Sequence, residues 1–317
     1  MVRLLVTSCL LLAVHAQETT LSNPKLTFTA ATKPYAVLKR AGVEMVVVDN
    51  SKVADSLLPD HRAGYSGVAS LKYRNGPNLF VPQYSGLNFE HILDGAIPPD
   101  RRAQFEPRAS PMELRIISPY VVELHQPPSF LHGLESCQRY ELLKDGTIQL
   151  TVEAVARQKS FRYGYINLFW ASYIQQPESL DIHFPGPAGW LQGTTPEHGK
   201  LSTHAGFNDN RQFKHDEPYP LTLVHSMSKQ RFIHPWYFGV SHGLAFAQMF
   251  RPGDNVRITQ SPSGGGKGNP AWDFQYTIPD YEVNKIYRFV MRASYLPFQS
   301  ADQVEKATRQ HREALAH

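Results

Sequence analysis

Cysteine is nearly missing from this chain: Cys9 and Cys137 are the only two in 317 residues. Cys9 stands inside an apolar leader, so the mature chain keeps a single thiol and no internal disulfide can staple the fold. A lone thiol of this kind reads as a small buried hydrophobe. Closely spaced metal-ligand patterns are also absent despite 14 histidines, and the sequence calls for no metal and no other cofactor. Neither sign of charge dominates. Lys and Arg number 32 against 28 Asp and Glu, and the basic residues are scattered, which excludes the basic stripe of a nucleic-acid partner. No Ser/Gly/Pro linker divides the chain and no repeat period is visible. One run is glycine-rich, Ser261 to Pro270, SPSGGGKGNP. It is no phosphate loop, because Lys267 is not followed by Ser or Thr and a β-run, not a helix, begins at Trp272.

Long hydrophobic runs are missing too. The apolar stretch Leu4 to Val14 is shorter than the roughly 20 residues of a spanning helix. With Arg3 before it and Val14-His15-Ala16 after it, it predicts a signal peptide over residues 1–16. The expectation is a secreted or periplasmic protein, free of the membrane after cleavage. A disulfide-free exported chain fits a bacterial envelope.

What the chain has in abundance is short runs of Val, Ile, Tyr and Phe bounded by Gly, Pro, Asn or Asp, the pattern of an all-β sandwich. Strands are predicted at 25–29, 35–39, 44–49, 67–73, 112–117, 121–126, 136–143, 147–157, 163–174, 179–184, 221–227, 236–240, 244–251, 256–260, 272–278 and 286–295. Asp145-Gly146 and Ser118-Pro119-Tyr120 mark two hairpin turns. Only the tail reads as a helix, and its few apolar anchors predict loose packing. The organisation expected is one large β-domain over 17–298 followed by a helical tail, 299–317.

The stretch Arg162 to Phe184, RYGYINLFWASYIQQPESLDIHF, alternates strictly. In a strand, Ile166, Leu168, Trp170 and Ile174 face the core, while Tyr163, Tyr165, Asn167, Phe169, Ala171 and Tyr173 share the other side. An aromatic side that also hydrogen-bonds suits pyranose rings, which present apolar C–H faces and hydroxyl edges. The run Ala271 to Tyr276 alternates likewise. Trp272, Phe274 and Tyr276 point inward, leaving Asp273 and Gln275 together on the opposite side.

The run Asn167-Leu168-Phe169-Trp170-Ala171-Ser172-Tyr173 resembles the central strand of galactose mutarotase-like proteins, where Asn-Leu-Thr-Asn-His-x-Tyr carries the acid histidine. Asp273-x-Gln275 followed by Pro279-Asp280 is similar to that superfamily's Glu-x-Gln and Pro-Asp, which carry the general base. Secreted bacterial proteins of the same superfamily share the overall look of the chain. The resemblance implies a large antiparallel β-supersandwich of galactose mutarotase-like type with a short C-terminal helix, and a carbohydrate ligand, mono- or oligosaccharide. Two departures stand out: Ala171 occupies the position of the acid histidine, and Asp273 that of the glutamate. Alanine moves no proton, so the acid must come from elsewhere.

The resulting site places Asp273 as base and a loop histidine, His91 or His242, as acid. Tyr165, Asn167, Phe169, Tyr173 and Gln275 contact the sugar, joined by Asn88 and Glu90 from the loop-like segment Pro82 to Gly95. An extended segment turns neighbours to opposite sides, so only one of Glu90 and His91 is expected at the site. His132 is a further histidine candidate, and Arg139 or Arg162 offers a guanidinium for a carboxylate or a hydroxyl pair. The chemistry expected is epimerase or lyase-type proton transfer on a sugar. The alternative is a non-catalytic glycan-binding module or a cell-envelope interaction protein.

Overall fold

The computed structural model describes residues 18–195 and 197–316; the predicted signal peptide lies outside them. Antiparallel strands dominate, in sheets of ten, six and three strands. Across the largest, the order is Thr29–Ala30, Glu113–Ser118, Val121–Gln126, Leu134–Leu142, Ile148–Ala156, Ile286–Pro297, Leu244–Phe250, Trp236–Ser241, Ile182–Gly186 and Gly189–Gly193. The six-stranded sheet runs Met227–Phe232, Thr203–Gly206, Arg257–Ser261, Ala271–Ile278, Ile166–Ala171 and Asn88–Leu93. The smallest holds Tyr35–Arg40, Val43–Val48 and Gly67–Tyr73.

Alternation accounts for how the two large sheets meet. Leu168, Trp170, Trp272 and Phe274 project from one sheet into a core shared with Leu150, Val152, Phe246 and Phe289 of the other. Trp170 is its centre, with ring centroids 5.1 Å from Phe89, 5.1 Å from Phe274 and 5.7 Å from Phe289. Its indole N–H donates to Gln138 Oε1 at 3.0 Å, so the one polar atom of the ring is satisfied where no water reaches. Val47, Val68 and Leu71 of the three-stranded sheet belong to the same core.

Several expectations change. Pro82 to Gly95 is not wholly a loop, since Asn88–Leu93 forms the edge strand beside Ile166–Ala171. Residues 221–227 do not form a strand: Thr222–His225 is a helical turn. Two further single turns, Arg101–Gln104 and Glu106–Ala109, precede the Glu113–Ser118 strand. The tail does not pack loosely. Helix Ala301–Ala316 buries Val304, Thr308 and Leu315, stacks Arg312 over Trp236 and ties His311 to Asp145 and Thr147.

The outer face of the six-stranded sheet is not bathed in solvent. Leu93, Phe169 and Ala171 pack there with Tyr219, Leu221 and Val224, which arrive from the segment leading into the helical turn. Replacing Trp170 by Ala is expected to lower unfolding free energy by about 3–5 kcal/mol, measured by denaturant titration; a loss under about 1 kcal/mol would contradict the shared core.

Candidate functional site

The edge strand determines what this face displays. Phe169 pairs with His91 and Trp170 with Phe89, leaving Glu90 as an extra residue between them. This is a β-bulge, two residues opposing one. Phe89 therefore turns into the core and stacks on Trp170, while Glu90 and His91, adjacent in sequence, both line one cavity on the outer face. The expectation that only one could reach the site assumed an unbroken pleat.

That cavity has a volume of about 320 Å³, within the range of small-molecule sites. Its polar walls are Glu90, His91, Arg108, Tyr173, His198 and Asp273, and its apolar ones include Tyr65, Phe105, Phe169 and Ala171. Two of the short turns bring in the basic groups. Asp100 caps the first by accepting the Ala103 N–H at 2.8 Å, and Pro107 opens the second, where no N–H is missed. Gln104 O then receives His91 Nδ1, and Arg108 lies over both Tyr65 and Phe105, at 4.0 and 4.4 Å from the ring centroids.

Glu90 is the hub. Its Oε2 accepts Arg108 Nη2 at 2.9 Å and the Tyr173 hydroxyl at 2.6 Å, and its Oε1 lies 3.2 Å from His91 Nε2. Burial by itself would raise the carboxyl's pKa, but the Arg108 charge, with hydrogen bonds from His91 and Tyr173, brings it down to about 2. His91 stands between a carbonyl and a carboxylate, both acceptors, so the two contacts form together only when both ring nitrogens carry protons. Tyr173 keeps its proton: burial, then the charge of Glu90, pushes the phenol well above its ordinary value.

Asp273 is the opposite case. It is fully buried, one oxygen accepts the Ser172 N–H at 2.9 Å, and burial, with the nearby Glu90 charge, raises its pKa well above the ordinary value. The surroundings thus drive the two carboxyls of the cavity in opposite directions, Glu90 toward the anion and Asp273 toward the neutral acid. On the wall formed by Ser261 and Gly264, at the start of the glycine-rich loop, the Ser261 hydroxyl is 2.8 Å from His198 Nδ1.

Of the residues singled out from the sequence, Glu90, His91, Phe169, Tyr173 and Asp273 line this cavity. Asn88 is buried beside it, its amide 3.4 Å from Glu90. Asn167 and Gln275 share the expected face but are covered. Asn167 donates to Gln275 Oε1 at 2.8 Å and to Thr277 at 2.7 Å, and Gln275 donates to Val224 O at 3.2 Å and to Thr259 at 3.1 Å. Gln275 thereby ties the Thr222–His225 turn to the sheet, while Asn167 Oδ1 is buried without a partner. Tyr165 is likewise covered, its hydroxyl on Lys214 O at 2.8 Å. His242 is exposed in the turn between Trp236–Ser241 and Leu244–Phe250 of the other sheet, with its N–H on Glu178. It takes no part in the cavity. His132 is held by Glu106 at 2.6 Å, Arg139 is paired with Glu123 and Arg162 with Asp216. Among the described residues no three His, Cys, Asp or Glu side chains gather as metal ligands would. Tyr65, Arg108, His198 and Ser261 are the cavity residues that periodicity gave no means of grouping.

No family model matches this chain, and no curated protein matches it. Among solved structures, several are similar to it over most of its length. A provisionally assigned aldose 1-epimerase of Escherichia coli K12 is 10% identical, with a TM-score of 0.48 over 86% of this chain and 100% of that one. A mutant of heparan sulfate lyase HepC from Pedobacter heparinus is 10% identical at a TM-score of 0.44, over 88% of this chain but 38% of that one. Protein Slr1438 of Synechocystis sp. PCC 6803 is 12% identical at 0.42, over 86% and 99%. These are likenesses of chain course, and no residue role is carried over from them.

Because Glu90 has a lowered pKa, it contributes stability that is complete above about pH 4.5 and lost as pH falls toward about 2. Glu90→Gln is expected to destabilise the fold by about 3–5 kcal/mol at neutral pH by stranding buried Arg108, and the gap should close over that acid range. Chemical denaturation at a series of pH values reads both; a gap constant with pH would contradict the ionised state.

Proposed function

We propose that this is an exported carbohydrate-binding protein that carries out acid/base chemistry on a sugar in the cavity between Glu90 and Asp273. The observation that carries this reading is the split between the two carboxyls: pairs of titratable groups driven apart by their surroundings are how one site supplies an acid and an anion at the same pH. The roles differ from those the sequence suggested. Asp273, held neutral, serves as proton donor to a sugar oxygen and not as base. His198, against the Ser261 hydroxyl, is the imidazole on the facing wall suited to accept a proton. Glu90, saturated by Arg108, Tyr173 and His91, is the fixed anion that positions hydroxyls and offsets developing positive charge. Phe169 and Tyr65 offer ring faces to the apolar side of a pyranose. Export rests on the leader of residues 1–16. The neighbours named for epimerase and lyase activities are consistent with proton transfer at a sugar carbon or anomeric hydroxyl.

Capture without chemistry is the second reading, and Ala171 favours it, since an inert methyl stands where the resembled superfamily places its acid. One experiment separates the two. Asp273→Asn keeps shape and the Ser172 contact but donates no acidic proton; across a panel of sugars with product analysis, it is expected to retain binding within about threefold while turnover falls at least about a hundredfold. Altered sugar formed at an undiminished rate by Asp273→Asn would refute the catalytic assignment. Binding with no altered sugar from the unsubstituted protein would establish the capture reading instead.

A further inference from the structure

Beside this cavity lies a second, more open hollow of about 520 Å³, walled by Asn50, Gly64, Tyr65, Arg101, Arg102 and Phe105. Tyr65, Arg101, Phe105 and Arg108 belong to both, so the two are compartments of one cleft with Arg108 and two aromatic rings as the sill between them. Their electrostatics differ. The inner compartment balances its ionised carboxylate against Arg108. The outer one is lined by Arg101 and Arg102 and by no acidic residue, and neither guanidinium has a carboxylate partner among the described residues.

Those guanidiniums are placed, not splayed. Arg101 lies 5.5 Å from the Phe105 ring centroid and Arg102 4.4 Å from that of Phe130, contacts that hold planar cations over apolar rings while their edges stay free to donate. Arg108 spends Nη2 on Glu90 and Tyr173, while its Nε is buried with no acceptor. An open hollow lined by two guanidiniums without carboxylate partners and by the Tyr65 and Phe105 rings is suited to a planar or tetrahedral oxyanion carried on a ring.

We propose that the outer hollow is a second saccharide subsite that takes an anionic sugar residue, bearing a carboxylate or a sulfate, so that the ligand is an acidic oligosaccharide of at least two rings spanning the sill. This rests on the sugar-binding reading of the inner cavity and adds ligand length and charge to it. The inner compartment takes one ring, Tyr65 and Phe105 flank the linkage, and Arg101 and Arg102 hold the anion of the next ring.

The test is a glycan array carrying uronate-containing, sulfated and neutral saccharides from one to six rings, read with the unsubstituted protein and with Arg102→Gln, an exposed position outside the inner cavity. Expected hits are acidic glycans of two rings or more, with about tenfold weaker binding in Arg102→Gln and further weakening with added salt; whether uronates or sulfated sugars lead identifies the anion. Neutral monosaccharides should bind both proteins alike. Hits confined to neutral glycans, or acidic hits indifferent to Arg102→Gln, would overturn the subsite and leave the inner site standing. Binding of no saccharide would overturn both.

Discussion

The candidate site follows from one irregularity, the bulge at Glu90 in the edge strand Asn88–Leu93. An unbroken pleat would send either Glu90 or His91 into the aromatic core beside Trp170, where neither could be solvated. The extra residue lets Phe89 fill the core while both polar neighbours emerge on the outer face. Once Glu90 is there, buried and ionised, the rest is constrained. Arg108 must reach it, and the two short turns at 101–109 exist at the place where they can deliver that guanidinium.

The same logic separates the two carboxyls. Glu90 and Asp273 are both shielded from water, and burial pushes both toward the neutral acid. Among the described residues, only Glu90 of the two has a cation in contact. Asp273 has only a backbone N–H to offset burial and the repulsion of Glu90, so its pKa is pushed upward. A single guanidinium, placed on one side of the cavity, thus drives the two carboxyls apart. It also lines both the inner compartment and the more open cationic one beside it.

Much of the fold was legible because alternation is a local property. Gly67–Tyr73 and Val121–Gln126 have the predicted limits, and Trp272, Phe274 and Tyr276 face the core as their spacing required. The site was legible only in part. Asp273 and Phe169 sit on strands and Tyr173 continues the alternation just past one, so each could be assigned a side. The bulge hid the strand around Glu90, since one extra residue breaks the period that identifies a strand. The apolar run at 221–227 reads equally as strand or helix, and its helical turn is what Gln275 bonds to through Val224 O. Arg108 carries no local mark at all: its partner lies 18 positions earlier, and only tertiary packing brings the two together.

Asp273 as a neutral acid beside an anionic Glu90 is the central claim, and infrared difference spectroscopy addresses it without a substrate. Spectra of the protein at neutral pH, taken against those of Asp273→Asn, should show loss of one protonated-carboxyl C=O band and no loss of carboxylate absorption. Loss of a carboxylate band in its place would show Asp273 ionised and contradict the account.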